Sequence, residues 1–330
     1  EAPVITSTSF GSVAEEQTAV GSLAVTDDAG DSITFAITGG VDSDKFAVSG
    51  STLAFSGFTP NFESPTGGVG NNSNTYLVQI TATDNGTLTD VETVSVTVVN
   101  ANDAPVITTT SFTNIPEEQT TVGTLAATDA DSGDSITFAI SGGADRLKFS
   151  AGGVGGSTLA FSGFTPDFDS PGSAASSNTY VVEITATDNG TGTLTDIQTI
   201  TVVVTDTNDN SPVLSVATPY SVAEGTTAVG TVTTTDADAG ATFTYTLSGT
   251  DASDFTITKT EGTQAGVLVF KAASTPDFET KTAYSLNVVV SDGSNSDTEA
   301  VVVNITNVND NSPVLAVATP YSVAEGTTAV

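Results

Sequence analysis

The side chains of this sequence that could do chemistry are carboxylates, and they recur in a fixed order. Glu15, Glu117, Glu224 and Glu325 stand in matching segments ("SVAEEQTAVG", "NIPEEQTTVG", "SVAEGTTAVG", "SVAEGTTAV") at steps of 102, 107 and 101 residues. After them come early acid pairs, Asp129 with Asp131 and Asp236 with Asp238, in "TDAD". A later turn reads "PNFES", "PDFDS" or "PDFET", which places Asn61 and Glu63, Asp167 and Asp169, and Asp277 and Glu279. Asp84, Asp188 and Asp292 follow, and each stretch closes on "NAND", "DTND" or "NVND", with Asp103, Asp209 and Asp310.

Such a set offers oxygen donors only. The chain has 39 acidic and 6 basic side chains, a net charge of -33, and no Cys, His, Met or Trp. That removes disulfides, thiol nucleophiles, a zinc site of the usual ligands and a Ser-His-Asp triad. The charge disfavours nucleic acid and anionic membrane as partners. No run reaches the roughly 20 apolar residues that span a bilayer. Paired acids could serve a glycosidase, but they recur in every stretch beside linkers, where no cleft is expected, so no enzyme is expected. "NNS" at Asn71, "NGT" at Asn85 and Asn189 and "NIT" at Asn304 fit the N-glycosylation pattern, which ordinary turn chemistry also produces.

The elements that must position these acids are strands. Tyr76, Val78, Ile80 and Ala82 alternate with polar or smaller neighbours, as do Tyr180, Val182, Ile184 and Ala186, and Tyr284, Leu286, Val288 and Val290. Val94, Val96 and Val98 repeat the pattern, matched by Ile200, Val202 and Val204 and by Val301, Val303 and Ile305. Period two with β-branched residues predicts half-buried strands. Phe35, Phe46, Phe55 and Phe58, like Phe138, Phe149, Phe161 and Phe164, are expected in cores. Each period is a whole domain. We read three units, 1–103, 104–210 and 211–311, with 312–330 as the opening strand of a fourth, truncated one. The fold class is all-β, with tandem seven-stranded Greek-key β-sandwiches placed end to end.

Sandwich ends collect alternate turns. The Glu, the "PDF" acids and the linker should fall at one end of a unit, and the early pair with the Asp after the penultimate strand at the other. Stacking units brings six or more carboxylates into one junction. Two unit charges ~4 Å apart repel by about 1 kcal/mol even in water, so a cation must fill the junction. A hard oxygen set of this size suits Ca²⁺ better than Mg²⁺.

"TDAD", "PDFE" and "TDTNDNSPV", in that order, resemble the calcium signature of the cadherin repeat, over essentially the whole chain. The Thr/Gly/Asp-rich composition is similar to bacterial tandem repeats of that kind. The resemblance implies a Greek-key sandwich, about three Ca²⁺ per inter-domain junction and stiffening by calcium. It implies that the first junction uses Glu15, Asn61, Glu63, Asn102 and Asp103 with Asp129, Asp131 and Asp188. The second uses Glu117, Asp167, Asp169, Asn208 and Asp209 with Asp236, Asp238 and Asp292. The third has one half, namely Glu224, Asp277, Glu279, Asn309 and Asp310. Asn61 replaces an acid of the signature and Ala104 an Asn. The shortened "TDDAGDS" leaves the acids Asp27, Asp28, Asp31 and Asp84 a departure from the pattern. With no Trp, the tryptophan strand exchange of animal cell–cell cadherins is excluded.

The expected role is a non-enzymatic extracellular, cell-surface rod, the spacer region of a large bacterial adhesin. Its expected partners are further copies of the repeat in a parent chain, since the absence of Met marks a mature or internal piece. One alternative is a filament or sheath subunit, joined to homotypic subunits by strand complementation through 312–330. Another is an array of carbohydrate-binding modules, which would need an exposed aromatic platform.

Overall fold

The computed structural model describes residues 1–330 except 69, 71, 261–262, 317–323 and 327–330. Asn71 and most of the expected fourth-repeat strand therefore lie outside the described residues. The chain divides into two compact units, residues 1–167 with 171–205, and residues 168–170 with 206–330. The first unit holds two copies of one strand pattern and the second unit a third.

In the first copy, Ser9–Ala14, Thr89–Val99, Thr75–Thr83 and Thr34–Gly39 lie side by side in that order. Ala19–Ser22, Thr52–Phe55 and Phe46–Ser49 make the second sheet, and Val4–Ile5 pairs with Val25–Thr26. The second copy repeats this with Ser111–Pro116, Thr195–Thr205, Thr179–Thr187 and Thr137–Gly142 against Thr121–Thr124, Thr158–Phe161 and Phe149–Gly152. In the third copy the sheets are Tyr220–Ala223, Ser296–Thr306, Ala283–Ser291 and Thr244–Ser248, and Val213–Ser215, Ala228–Thr235, Ala265–Phe270 and Phe255–Lys259. Val213–Ser215 and Tyr220–Ala223 are two halves of an opening segment that changes sheets, so this copy is the expected seven-stranded Greek-key sandwich. Its second half runs parallel to the last strand, as its counterparts do in the other copies. The described helical segments are single 3₁₀ turns, and no described helix is long and apolar enough to cross a membrane.

Alternation places the core. Along Thr75–Thr83 every second residue is buried, and Tyr76, Val78, Ile80 and Ala82 are sealed from solvent. Tyr76 stands opposite Val96, and Val78 opposite Val94, which are the cross-strand pairs that stabilise a sheet. The same Tyr anchors an aromatic cluster in each copy. Phe55 lies edge-on to Tyr76 at 5.3 Å, Phe161 to Tyr180 at 5.2 Å and Phe270 to Tyr284 at 5.0 Å, the arrangement that ring quadrupoles favour. Phe46, Phe55, Phe149 and Phe161 are buried as expected, while Phe35, Phe58, Phe138 and Phe164 are half-buried at the core margin.

Some acids serve the fold itself. Asp42 and Asp145 are each 3% exposed. Asp42 Oδ1 accepts from Gly68 N at 2.7 Å and Oδ2 from Leu77 N at 2.8 Å. Asp145 repeats this with Ala174 N at 2.6 Å and Val181 N at 2.8 Å. These carboxylates pin the Gly/Ser-rich loop before the penultimate strand to that strand. The third copy has the short "TKTAY" there, and Lys281 takes the loop's place. Its ammonium pairs with Asp251 Oδ1 while Ser285 N reaches Oδ2 at 2.7 Å. Asp90, Asp196 and Asp297 likewise accept from Ile5 N, Ile107 N and Leu214 N, each at 2.8 Å, and hold the opening strands.

Asp145→Ala leaves two amides without their charged acceptor and is expected to cost about 3 kcal/mol, read as a lower urea midpoint for the first unit. The hydrogen bond from Lys281 holds the Asp251 carboxyl below its usual range. A depressed acid stabilises the fold above its unfolded pKa, and that contribution is lost as pH falls through the folded one. Lys281→Met should therefore raise the pH at which the third copy unfolds in acid. An unmoved acid midpoint in circular dichroism would contradict the assignment.

Candidate metal centre

Within the first unit, one buried Glu organises the linker between the two copies. Glu15 is 2% exposed. Its Oε1 accepts from Ala101 N at 2.9 Å and its Oε2 from Phe62 N at 2.7 Å, so one side chain ties the linker to the "PNFES" turn. Glu224 does the same in the second unit, accepting from Val308 N at 2.6 Å and Phe278 N at 2.7 Å. Each oxygen keeps lone-pair capacity after these bonds.

Glu15, Glu63 and Asp103 bring carboxylate oxygens within 4.8 Å of one another. From the second copy, Asp129, Asp131 and Asp134 form a like group. Asp131 grips the linker, with Oδ1 accepting from Asn100 Nδ2 and Oδ2 from Asp103 N, both at 2.6 Å. Asp188 accepts from Asn102 Nδ2 at 3.0 Å and from Gly190 N at 3.0 Å. Gly190 is required here, because a Cβ on it would lie 1.5 Å from Asn102 Oδ1 and 2.5 Å from Asp134 Oδ2. A cleft of about 1010 Å³ opens among Glu63, Asn102, Asp131, Asp134 and Gly190.

The donor set fits a hard cation. Asp103 Oδ2 and Asp129 Oδ2 are buried and without a hydrogen-bond partner, a costly state for a charged oxygen. Among the described residues, no Lys or Arg pairs with Glu15, Glu63, Asp103, Asp129, Asp131 or Asp188. The second unit offers a similar half. Asp169, Asp206 and Asp238 form one group, Asn210 bridges Asp169 and Asp238, and Asp236 Oδ2, Asp238 Oδ2 and Asp292 Oδ2 are buried without partners.

The other expected ligands are placed as follows. Asn61 Oδ1 accepts from Ser64 N at 2.6 Å, capping its own turn. Asp277 does likewise, accepting from Glu279 N and the Thr280 hydroxyl. Glu279 accepts from Asn307 Nδ2 at 2.8 Å. Asn309 and Asp310 are exposed, with Asp310 Oδ1 accepting from Asn311. Glu117 is buried and Asp167 exposed in the first unit. Asn208 and Asp209 are exposed in the second unit, where Asn295 Nδ2 donates to the Asp209 and Asn210 carbonyls. Asp27, Asp28 and Asp31 also form a group, in which Asp27 Oδ2 is buried without a partner and Asp28 pairs with the Glu1 amine. Sequence reading passed over Asn100, Asp134 and Asp206. The offset from "ND" in each linker marks Asn100 and Asp206 as equivalents, and "DADSGD" displays Asp134 three residues after Asp131.

No family model matches the chain. Human protocadherin Fat 1 is 31% identical over 261 residues, covering 73% of this chain and 5% of Fat 1. Human protocadherin Fat 4 is 32% identical over 262 residues, covering 72% and 5%. The mouse cadherin EGF LAG seven-pass G-type receptor 2 is 31% identical over 260 residues, covering 72% and 8%. The chain thus spans less than a tenth of each of these relatives. Among solved structures, extracellular cadherin domains 3–6 of protocadherin gamma B2 align with a TM-score of 0.57 and 22% identity, covering 98% of this chain and 77% of that one. The human desmocollin-1 ectodomain aligns with a TM-score of 0.57 and 19% identity, covering 93% and 61%. These likenesses to solved structures establish the fold. With the relatives' similarity they define the class, a cadherin-like repeat protein of tandem β-sandwiches.

Three of the crowded acids hold their protons to higher pH than usual. Burial raises Asp103 first, then Glu15 and Asp131; burial and then Glu15 raise Glu63; burial, then Asp131, Asp129 and Asp188, raise Asp134. A raised acid destabilises the metal-free fold once ionised, so the metal-free first unit should gain melting temperature as pH falls from neutral into the weakly acidic range. A cation needs these groups ionised, so its affinity should fall over the same range and its binding should release protons. Calcium titration in weakly buffered solution measures the release, and a pH-independent affinity without proton release would exclude the coupling.

Proposed function

We propose that this chain is a stretch of an extracellular, non-enzymatic adhesion rod, with cadherin-like repeats at 1–103, 104–210 and 211–311 whose junctions close on Ca²⁺, about three ions at each. The observation that carries the reading is the convergence of Glu15, Glu63, Asp103, Asp129 and Asp131 on one linker, with buried partnerless oxygens on Asp103 and Asp129 and, among the described residues, no Lys or Arg paired with them. Calcium turns mutual repulsion into bridges through shared ions, and each linker becomes a stiff joint. The finer role is spacer: repeats in a longer bacterial surface adhesin that lift a binding tip away from the cell. Similarity to Fat 1 and Fat 4, of which the chain spans 5% each, supports a place within a much longer array.

Chelation should shorten the molecule in X-ray scattering and lower its melting temperature, and restored calcium should reverse both. Asp103→Asn keeps the side chain's shape and removes one charge at an oxygen that has no hydrogen bond to lose. It should weaken calcium binding about tenfold, or ~1.4 kcal/mol, while the metal-free melting temperature holds or rises. Unchanged dimensions and melting on chelation would rule out the calcium joint.

A further inference from the structure

One eight-residue sequence, Ile-Thr-Ala-Thr-Asp-Asn-Gly-Thr, occurs twice, at 80–87 and 184–191. Each copy runs from the end of a penultimate strand into the turn after it. Each contains Asn-Gly, the pair most prone to spontaneous deamidation, because a glycine leaves its own backbone nitrogen open to attack the preceding side chain. Identical peptides have identical intrinsic reactivity, so any difference between them in the folded chain comes from the surroundings.

Those surroundings differ. Asn85 and Gly86 are both exposed. Among the described residues, neither the Asn85 amide nor Gly86 N has a hydrogen-bond partner; the turn is held by Leu88 N on Asp84 Oδ1 at 2.8 Å and Thr87 N on the Asp84 carbonyl. At the second copy both reacting groups are engaged. Asn189 Oδ1 accepts from Ser135 N at 2.7 Å, which fixes the electrophilic carbon's orientation. Gly190 N, the nucleophile, donates to Asp188 Oδ1 at 3.0 Å. Asn102 and Asp134 crowd Gly190, so the turn has no room to swing the nitrogen towards the side chain.

We propose that Asn85 is a site of spontaneous deamidation in this protein and that Asn189 is protected by its fit against the linker. Gly86 N loses its proton and bonds to Asn85 Cγ, and the side-chain nitrogen leaves as ammonia, closing a five-membered succinimide. Water then opens the ring. Attack at Cγ breaks its new bond to Gly86 N and leaves an ordinary backbone with an Asp, whereas attack at the Asn85 backbone carbonyl breaks the original peptide bond and leaves an isoaspartate whose chain runs through the side chain. One water enters and one ammonia leaves. The product places a new carboxylate directly after Asp84.

The test is to age the full chain in mildly alkaline buffer, digest it and follow both peptides by mass spectrometry. Asn85 should convert at least about tenfold faster than Asn189, the factor that one hydrogen bond's worth of barrier makes. In denaturant the two should convert at similar rates. Gly86→Ala, at a backbone angle open to any residue, should slow Asn85 and leave Asn189 unchanged. Equal rates in the folded chain, faster conversion of Asn189, or a preference for Asn85 that survives denaturant would each overturn the proposal.

Discussion

Like charges must be held together against their own repulsion before this chain can have a linker of fixed shape. At an effective dielectric near 20, two carboxylates ~4 Å apart repel by about 4 kcal/mol. Yet Glu15, Glu63 and Asp103 place oxygens within 4.8 Å, and Asp129, Asp131 and Asp134 do the same. Backbone amides partly offset this. Glu15 and Asp131 accept from Ala101, Phe62 and Asp103, and hydrogen bonds to a charged acceptor are about twice as strong as neutral ones. They position the acids without neutralising them, and that residual charge is what a divalent cation would complete.

Two kinds of acid can be told apart by what their oxygens lack. Asp42 and Asp145 spend both oxygens on backbone amides. They are satisfied and act as staples. Asp103, Asp129, Asp236, Asp238 and Asp292 each keep one buried oxygen with no partner. Burying such an oxygen costs free energy unless something else coordinates it. Burial alone does not separate the classes, since Asp145 at 3% and Asp238 at 5% are equally hidden.

This distinction also marks where reading the sequence stops. Strand positions were legible because Tyr76, Val78 and Ile80 alternate with polar residues, and a period of two has one physical meaning in a half-buried sheet. The gathering of Glu15, Glu63 and Asp103 was legible from their repetition at the domain period. That same repetition holds for Asp42, Asp145 and Asp251, which are fold staples, so periodic recurrence shows that an acid matters to the domain but not what it does. The Lys281–Asp251 pair was invisible for a related reason, since only the folded chain shows that a shortened loop and a lysine occupy one place. Asn61 shows a second role that a motif does not display. Its motif position suggests a ligand, and in the folded chain its carbonyl oxygen also accepts from Ser64 N in its own turn, a bond that Asn and Asp side chains commonly make.

The charge of the first junction is unevenly divided, and the division has a physical consequence. Asn100 stands where the next linker has Asp206, and Asn61 where the next turn has Asp167, so the first copy contributes fewer charges than its successor would. Asp134 adds a charge on the second copy's side, where the third copy has Ala241. Asn100 remains useful as a neutral donor, since its Nδ2 neutralises part of the field at Asp131 through a 2.6 Å bond. An Asp there would face Asp131 with two lone-pair oxygens at the same distance and would need a cation between them. The negative potential is thus weighted towards Asp129, Asp131, Asp134 and Asp188, all carried on loops of one sandwich. Charges fixed to one rigid body persist whether the linker is straight or bent, whereas those on the linker and the first copy move with it. A cation would therefore be held first by the second copy, and closure of the linker over it through Asp103 and Glu15 would be the later step.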